Sequence, residues 1–338
     1  MLKRQPSFTS IAGILLLLAM LFLCIENAAT IHQALLLMQR VLPGALAVSL
    51  LAIGAGFLCA GQIYGRILAL PGYRLHQIWL AAAALVSILI SQSIPAGTVG
   101  SYAFLATMLQ RRGIPATSAA LLASLELLTW MGAMLLLFCF ALLYLTLTIG
   151  SSGGTLTVIP AATTALLLLS IAVCIACQPQ SRLCAWAMRA KHLLERLIQP
   201  RWSDAAVQPF IADLVRQRAH LLQQPARVAS LIGLQLVIFG LHSLALLSIL
   251  YSLDVTISPM AVIAAYGLTL IVSSFTILPG GGGAVETTLA VALSIQGVAI
   301  EVALGAAVLF RLLSFWLLLP LGFVCYRWLL LENQSAPQ

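Results

Sequence analysis

The chain has 338 residues, 62% of them hydrophobic and only 8% charged, with a mean hydropathy of +1.07 and a formal net charge of +8. A soluble domain carries about a quarter charged residues, so a water-soluble fold is excluded: most of this chain has lipid as its solvent. The excess positive charge does not mark a nucleic-acid binder, because it comes without aromatic interleaving or Gly/Arg repeats.

A spanning helix needs about 20 apolar residues, and such runs predict spans near 10–26, 42–64, 75–94, 114–148, 156–177, 228–250, 258–278 and 298–326. Lys3 and Arg4 ahead of the first run, with Asn27-Ala28-Ala29 after it, resemble a signal peptide and its cleavage site. The many spans that follow make a retained first helix the expectation. Segment 178–227 is a polar insert with helical stretches around 183–197 and 204–222, and it holds eight of the 17 basic residues. Cytoplasmic loops carry the Lys/Arg excess, so the insert is placed inside, against anionic headgroups. Fifteen of the 17 basic residues then fall inside, among them Lys3, Arg4, Arg66, Arg74, Arg111, Arg112 and Arg327, and both termini are cytoplasmic. Arg40 falls outside and Arg311 within a span. Cys24, Cys59, Cys139 and Cys325 sit in apolar runs as small hydrophobes. Cys174 and Cys177 form a CxxC without a second pair at zinc spacing, so neither metal nor cofactor is expected.

The charge assignment sends the chain outward after Arg74 and has it back inside at Arg111, so residues 95–110 must turn and descend. The break falls at Pro95-Ala96-Gly97-Thr98-Val99-Gly100, after the polar Ser91, Gln92 and Ser93. Non-helical backbone in a membrane survives only where protein or a water-filled cavity surrounds it, which predicts a broken or re-entrant hairpin. The device recurs 184 residues later: Pro95/Pro279, Gly97/Gly281, Leu105/Leu289, Leu109/Leu293 and Gly113/Gly297 are identical in an ungapped alignment. The first unit, about 75–148, enters from the cytoplasm and the second, about 258–326, from outside. The fold class is therefore an all-α polytopic membrane protein of about eight transmembrane helices, a single domain over 1–338, with two broken hairpins in an inverted repeat. Interrupted helices at matching positions of inverted repeats point to a transporter-like site near the midplane; a duplicated scaffold without transport is the plainer alternative.

Ionisable groups deep in a span are costly and usually face a partner. Glu126 lies 12 residues past Ile114, about 18 Å along a helix, and Arg311 lies 13 residues past Val298, so a pseudo-twofold axis would bring the two close. Glu286 follows Pro279-Gly280-Gly281-Gly282-Gly283, a run without side-chain walls that opens a helix whose first N–H groups form an anion site. Glu286 either caps that helix or pairs with Arg311 and releases it to a lipid phosphate. Arg311 offers the planar fork that matches phosphate; its alternative is a structural ion pair with Glu126 or Glu286. Arg111 and Arg112 serve as topology determinants or collect headgroups at the cytoplasmic mouth. His242 reads as a helix–helix hydrogen-bonding group, and Glu26 and Glu301 as interfacial. No HExxH, GxSxG, P-loop lysine or paired loop acids occur, so no catalytic residue is assigned and an enzyme is not expected.

Leu278-Pro279-Gly280-Gly281-Gly282-Gly283-Ala284-Val285-Glu286, then Gly297-Val298 and Arg311-Leu312-Leu313, resemble the second-half signature of the lysylphosphatidylglycerol synthase/flippase membrane-domain family. Pro95-Ala96-Gly97 through Gly100, Arg112-Gly113-Ile114 and Glu126 resemble its first half. The family often has an acidic residue just after the first break, where this chain has Ser101 and Tyr102. No aminoacyl-transferring domain is seen in the sequence, so the resemblance implies lipid translocation in a bacterial-type inner membrane and not lysyl-lipid synthesis. Relatives that stand alone imply varied lipids, including polyprenyl and hopanoid ones. The expected function is a flippase-like transporter whose lipid site comprises Arg311, Glu286, Gly280, Gly281, Gly282, Gly283, Glu126, Pro279, Pro95 and Gly97. The alternative is an accessory subunit that docks a lipid-modifying enzyme on the 178–227 insert. Membrane lipids, and in that alternative the enzyme, are the expected partners.

Overall fold

The computed structural model describes Gln39 and residues 41–93, 97–149, 224–275 and 283–335. Every regular element among them is helical: α1 (Pro43–Leu68), α2 (Gln77–Ser93), α3 (Gly97–Gln110), α4 (Ala116–Ile149), α5 (Pro225–Ser252), α6 (Pro259–Phe275), α7 (Ala284–Ile295), α8 (Ile300–Arg311) and α9 (Leu318–Ser335). A π-helical turn, Leu312–Trp316, joins α8 to α9. The spans expected at 10–26 and 156–177, and the insert at 178–227, lie outside the described residues.

The helices fall into two length classes. Among the described residues, four runs are long and apolar enough to cross a membrane: Pro43–Leu68, Ala116–Thr148, Pro225–Ser252 and Ile300–Glu332. By contrast α2, α3, α6 and α7 have 17, 14, 17 and 12 residues, fewer than the ~20 needed to cross. These short helices pack in sequential pairs, α2 on α3 and α6 on α7. Arg112, just past α3, holds its guanidinium 4.5 Å from the ring of Trp79 near the start of α2. The first pair therefore sets out from one end of the molecule and returns to it. At its far end a Cβ on Gly97 would lie 2.5 Å from the Ile90 carbonyl oxygen and 2.6 Å from that of Ser91. Only glycine lets α3 begin so close to the last turn of α2.

Local chemistry sets the helix ends. Prolines stand in the first turns of α1 and α5, where a missing N–H leaves no bond unmade. α3 and α7 close in the same way, on Gly113 at φ 75° and Gly297 at φ 92°. In the first, Ile114 N donates to Leu109 O at 3.1 Å, and in the second Val298 N donates to Leu293 O at 3.3 Å. This glycine-terminated motif satisfies carbonyls that the helix end would otherwise orphan.

The most extensive helix pairing is α1 against α5. Ser49 Oγ donates to Ala245 O at 3.0 Å, Ser248 Oγ donates to Ala45 O at 3.1 Å, and Arg66 reaches Ser230. Low numbers on one helix meet high numbers on the other, so the two run antiparallel. They close at Leu68 and Ser252, 184 positions apart, the same interval that separates Gly113 from Gly297. Elsewhere α4 lies on α6, and α9, the second half of the last long run, lies on α2.

Gly113→Ala and Gly297→Ala should each cost about 1–2 kcal/mol, because the left-handed backbone strains any β-carbon. Gly44→Ala, inside α1 with nothing within 4 Å, should be neutral or mildly stabilising. Thermal unfolding of the three purified variants in detergent checks the contrast.

Candidate functional site

A buried ion pair lies where the end of α8 meets the first turn of α7 and the last turn of α2. Arg311 ends α8 and is 8% exposed, and Glu286 in the first turn of α7 is 6% exposed. Arg311 Nε donates to Glu286 Oε1 at 3.3 Å, and Arg311 Nη1 donates to Gln92 Oε1 at 3.2 Å. Gln92 is in the last turn of α2, so one guanidinium ties the helix entering the first break to the helix leaving the second. Its Cζ also stands 4.7 Å from the ring centroid of Phe315, a contact worth more once water is excluded.

The surroundings explain why the charge stays there. Arg311 lies 11 residues into the Ile300–Glu332 run, about 16 Å along its axis, and a guanidinium at that depth needs partners. An aromatic group steadies the preceding turn: Phe310 packs edge-on against Tyr266 of α6 at 5.9 Å and His242 of α5 at 6.3 Å, while His242 stacks on Tyr266 at 6.1 Å. The π-helical turn follows at once, with Leu317 N donating to Leu312 O at 2.9 Å. Such one-turn π segments are frequent at functional sites.

α7 starts on Gly283, left-handed at φ 81° and without a side-chain cap. Glu286 turns its carboxylate to Arg311, so of the two roles read from the sequence the structure shows the ion pair. Glu126 corrects an expectation. It accepts a hydrogen bond from Tyr102 Oη at 2.8 Å and forms no ion pair with Arg311 among the described residues, because α3 packs on α4 and presents Tyr102 first. Tyr102 stands 184 positions before Glu286. Each unit therefore links its short helix to its long one through a polar pair, Tyr102–Glu126 in one and Glu286–Arg311 in the other. Beside Tyr102, a groove of about 430 Å³ between α3 and α4 has walls of Ala106, Ala119, Ala123 and Leu127.

Gly97 lets α3 start against the last turn of α2. Pro95, Pro279, Gly280, Gly281 and Gly282 lie outside the described residues. His242 is a second correction: its Nδ1 pairs with Ile238 O of its own helix at 2.9 Å, so the ring packs between helices without bonding across them. Arg112 does more than mark topology, forming a 3.1 Å ion pair with Glu332 of α9. Gln92 was missed as a site residue; three polar residues ending an apolar helix just before Pro95 were its signal.

Short apolar helices paired around buried charge, framed by helices long enough to cross, define a multi-pass helical membrane protein. Residues 10–322 match the family model for the lysylphosphatidylglycerol synthase TM region. The chain belongs to that family, whose members are membrane proteins of lipid metabolism and transport. No curated protein matches it.

Removing one partner of a buried pair leaves an uncompensated charge. Arg311→Leu should therefore destabilise the fold by about 3–5 kcal/mol, while Arg311→Leu/Glu286→Leu should regain most of the loss. Unfolding midpoints of the two variants against wild type give the comparison.

Proposed function

We propose that the chain is a flippase-like transporter that moves an anionic lipid between the leaflets of a bacterial-type inner membrane, without covalent chemistry. In this reading the short-helix pairs are re-entrant hairpins, and the chain is an inverted repeat whose two units frame a cavity near the midplane. Arg311 and the first turn of α7 hold the headgroup while the hydrocarbon chains stay in lipid.

One observation carries the proposal: Arg311 bonds to Gln92 beside the first break and to Glu286 beside the second. Buried charge at the meeting point of two interrupted helices is what a midplane substrate site requires. The antiparallel pairing of α1 with α5 supports the inverted relation of the units. The family supports a lipid as the cargo.

The exchange has a physical logic. A lipid phosphate brings its own negative charge, so it can replace Glu286 on the guanidinium fork without leaving a bare cation in the bilayer. The N-terminus of α7 adds N–H donors and a favourable dipole for the same anion.

In proteoliposomes carrying a fluorescent anionic phospholipid, wild-type protein should speed its appearance in the opposite leaflet, read by dithionite quenching. Arg311→Ala, checked for folding, should lower that rate at least tenfold. Equal rates in the two would overturn the transport reading and favour the non-transporting accessory subunit.

A further inference from the structure

The second oxygen of Glu286 raises a separate question. Oε1 accepts from Arg311, but Oε2 is buried and accepts no hydrogen bond. A buried carboxylate oxygen left in that state is costly. Among the described residues nothing relieves it: Glu286 is 6% exposed, and its neighbours Val285, Leu289 and Ala290 are buried and apolar. The N–H groups of Ala284, Val285 and Glu286 precede the first intrahelical bond of α7, from Thr287 N to Gly283 O at 2.9 Å, and so belong to the turn where an anion sits best. Anion donors and an unfilled acceptor share one helical turn.

Resting on the lipid-handling reading above, we propose that this site selects headgroups in which a phosphodiester carries an O–H or N–H donor a few bonds away. The phosphate is held by Arg311 and the start of α7, and the donor bonds to Glu286 Oε2. An anionic diester lacking a donor would leave Oε2 as it stands and gain only half of the site. Glu286 is then more than a counter-ion to Arg311: it reads the part of the headgroup beyond the phosphate. Hydrogen bonds to charged groups are the strong kind, and one such bond in a dry site discriminates by about tenfold or more.

The test is pairwise lipid competition on the full-length protein, followed by native mass spectrometry, with lipids of identical acyl chains. Phosphatidylglycerol and phosphatidylmethanol share a charge and differ in hydroxyl donors; phosphatidylethanolamine and phosphatidylcholine differ in N–H donors. Wild type should retain phosphatidylglycerol over phosphatidylmethanol, or phosphatidylethanolamine over phosphatidylcholine, by about tenfold or more; the winning pair identifies the donor as hydroxyl or ammonium. Glu286→Gln keeps the volume but offers a weaker, neutral acceptor, and should cut the preference severalfold while diesters still bind. Glu286→Ala should abolish the preference. A ratio near one in both pairs for wild type, with diesters still retained over diacylglycerol, overturns this inference and leaves the anion site standing. Retention no better than that of diacylglycerol overturns the anion site as well. A preference unchanged in both Glu286 variants also overturns the inference.

Discussion

One guanidinium held inside a lipid-facing bundle is the constraint on which the rest depends. Arg311 cannot be stripped of water without partners, and two of them, Gln92 and Glu286, stand at the ends of short helices. A straight crossing helix would offer only side chains on a continuous wall. An interrupted one brings a helix end, with its free N–H groups and polar neighbours, into the interior. The breaks and the buried charge are therefore two sides of one arrangement, because each makes the other tolerable.

Close helix packing supplies the frame. Without a hydrophobic drive between helices in lipid, association rests on close packing and small residues. That is the material found here: Ala81 to Ala84 line the buried face of α2, and Ala245 and Ser49 meet where α1 crosses α5. Gly61 approaches Ala81 so closely that a Cβ would lie 2.7 Å from the Ala81 nitrogen. The two short-helix pairs differ in their polar chemistry. Tyr102 with Glu126 is a hydrogen-bonded pair, whereas Glu286 with Arg311 is an ion pair at corresponding places. The phenol stands where the other pair has its carboxylate, and Glu126 stands 185 positions before the arginine, so the first pair holds a carboxylate and no cation.

The contact of Arg112 with Glu332 and Trp79 sits at the opposite end of α3 from the break. It ties the starts and ends of three helices at the face where the arginines gather. Its counterpart in the second unit, Gln296, is uncharged.

Much of this was legible in the sequence because lipid imposes simple rules. Apolar runs of fixed length gave the positions of α1, α4, α5 and the α8–α9 run, and Pro and Gly clusters marked the breaks, since those residues stop helices whatever surrounds them. Arg311 and Glu286 stood out as charges with no business in hydrocarbon. Spacing alone does not orient side chains, however. It put Glu126 near Arg311, whereas packing of α3 against α4 delivered Tyr102 to Glu126 first; it gave no sign that Gln92 would be the second partner of Arg311. The sequence by itself determined that this is a helical membrane protein with two matched interruptions and a stranded arginine, because composition and hydropathy act locally along the chain. Which groups satisfy that arginine, and which carboxylate oxygen is left over, was decided only by tertiary structure, because hydrogen bonds of about 3 Å depend on how helices distant in the chain are set against one another.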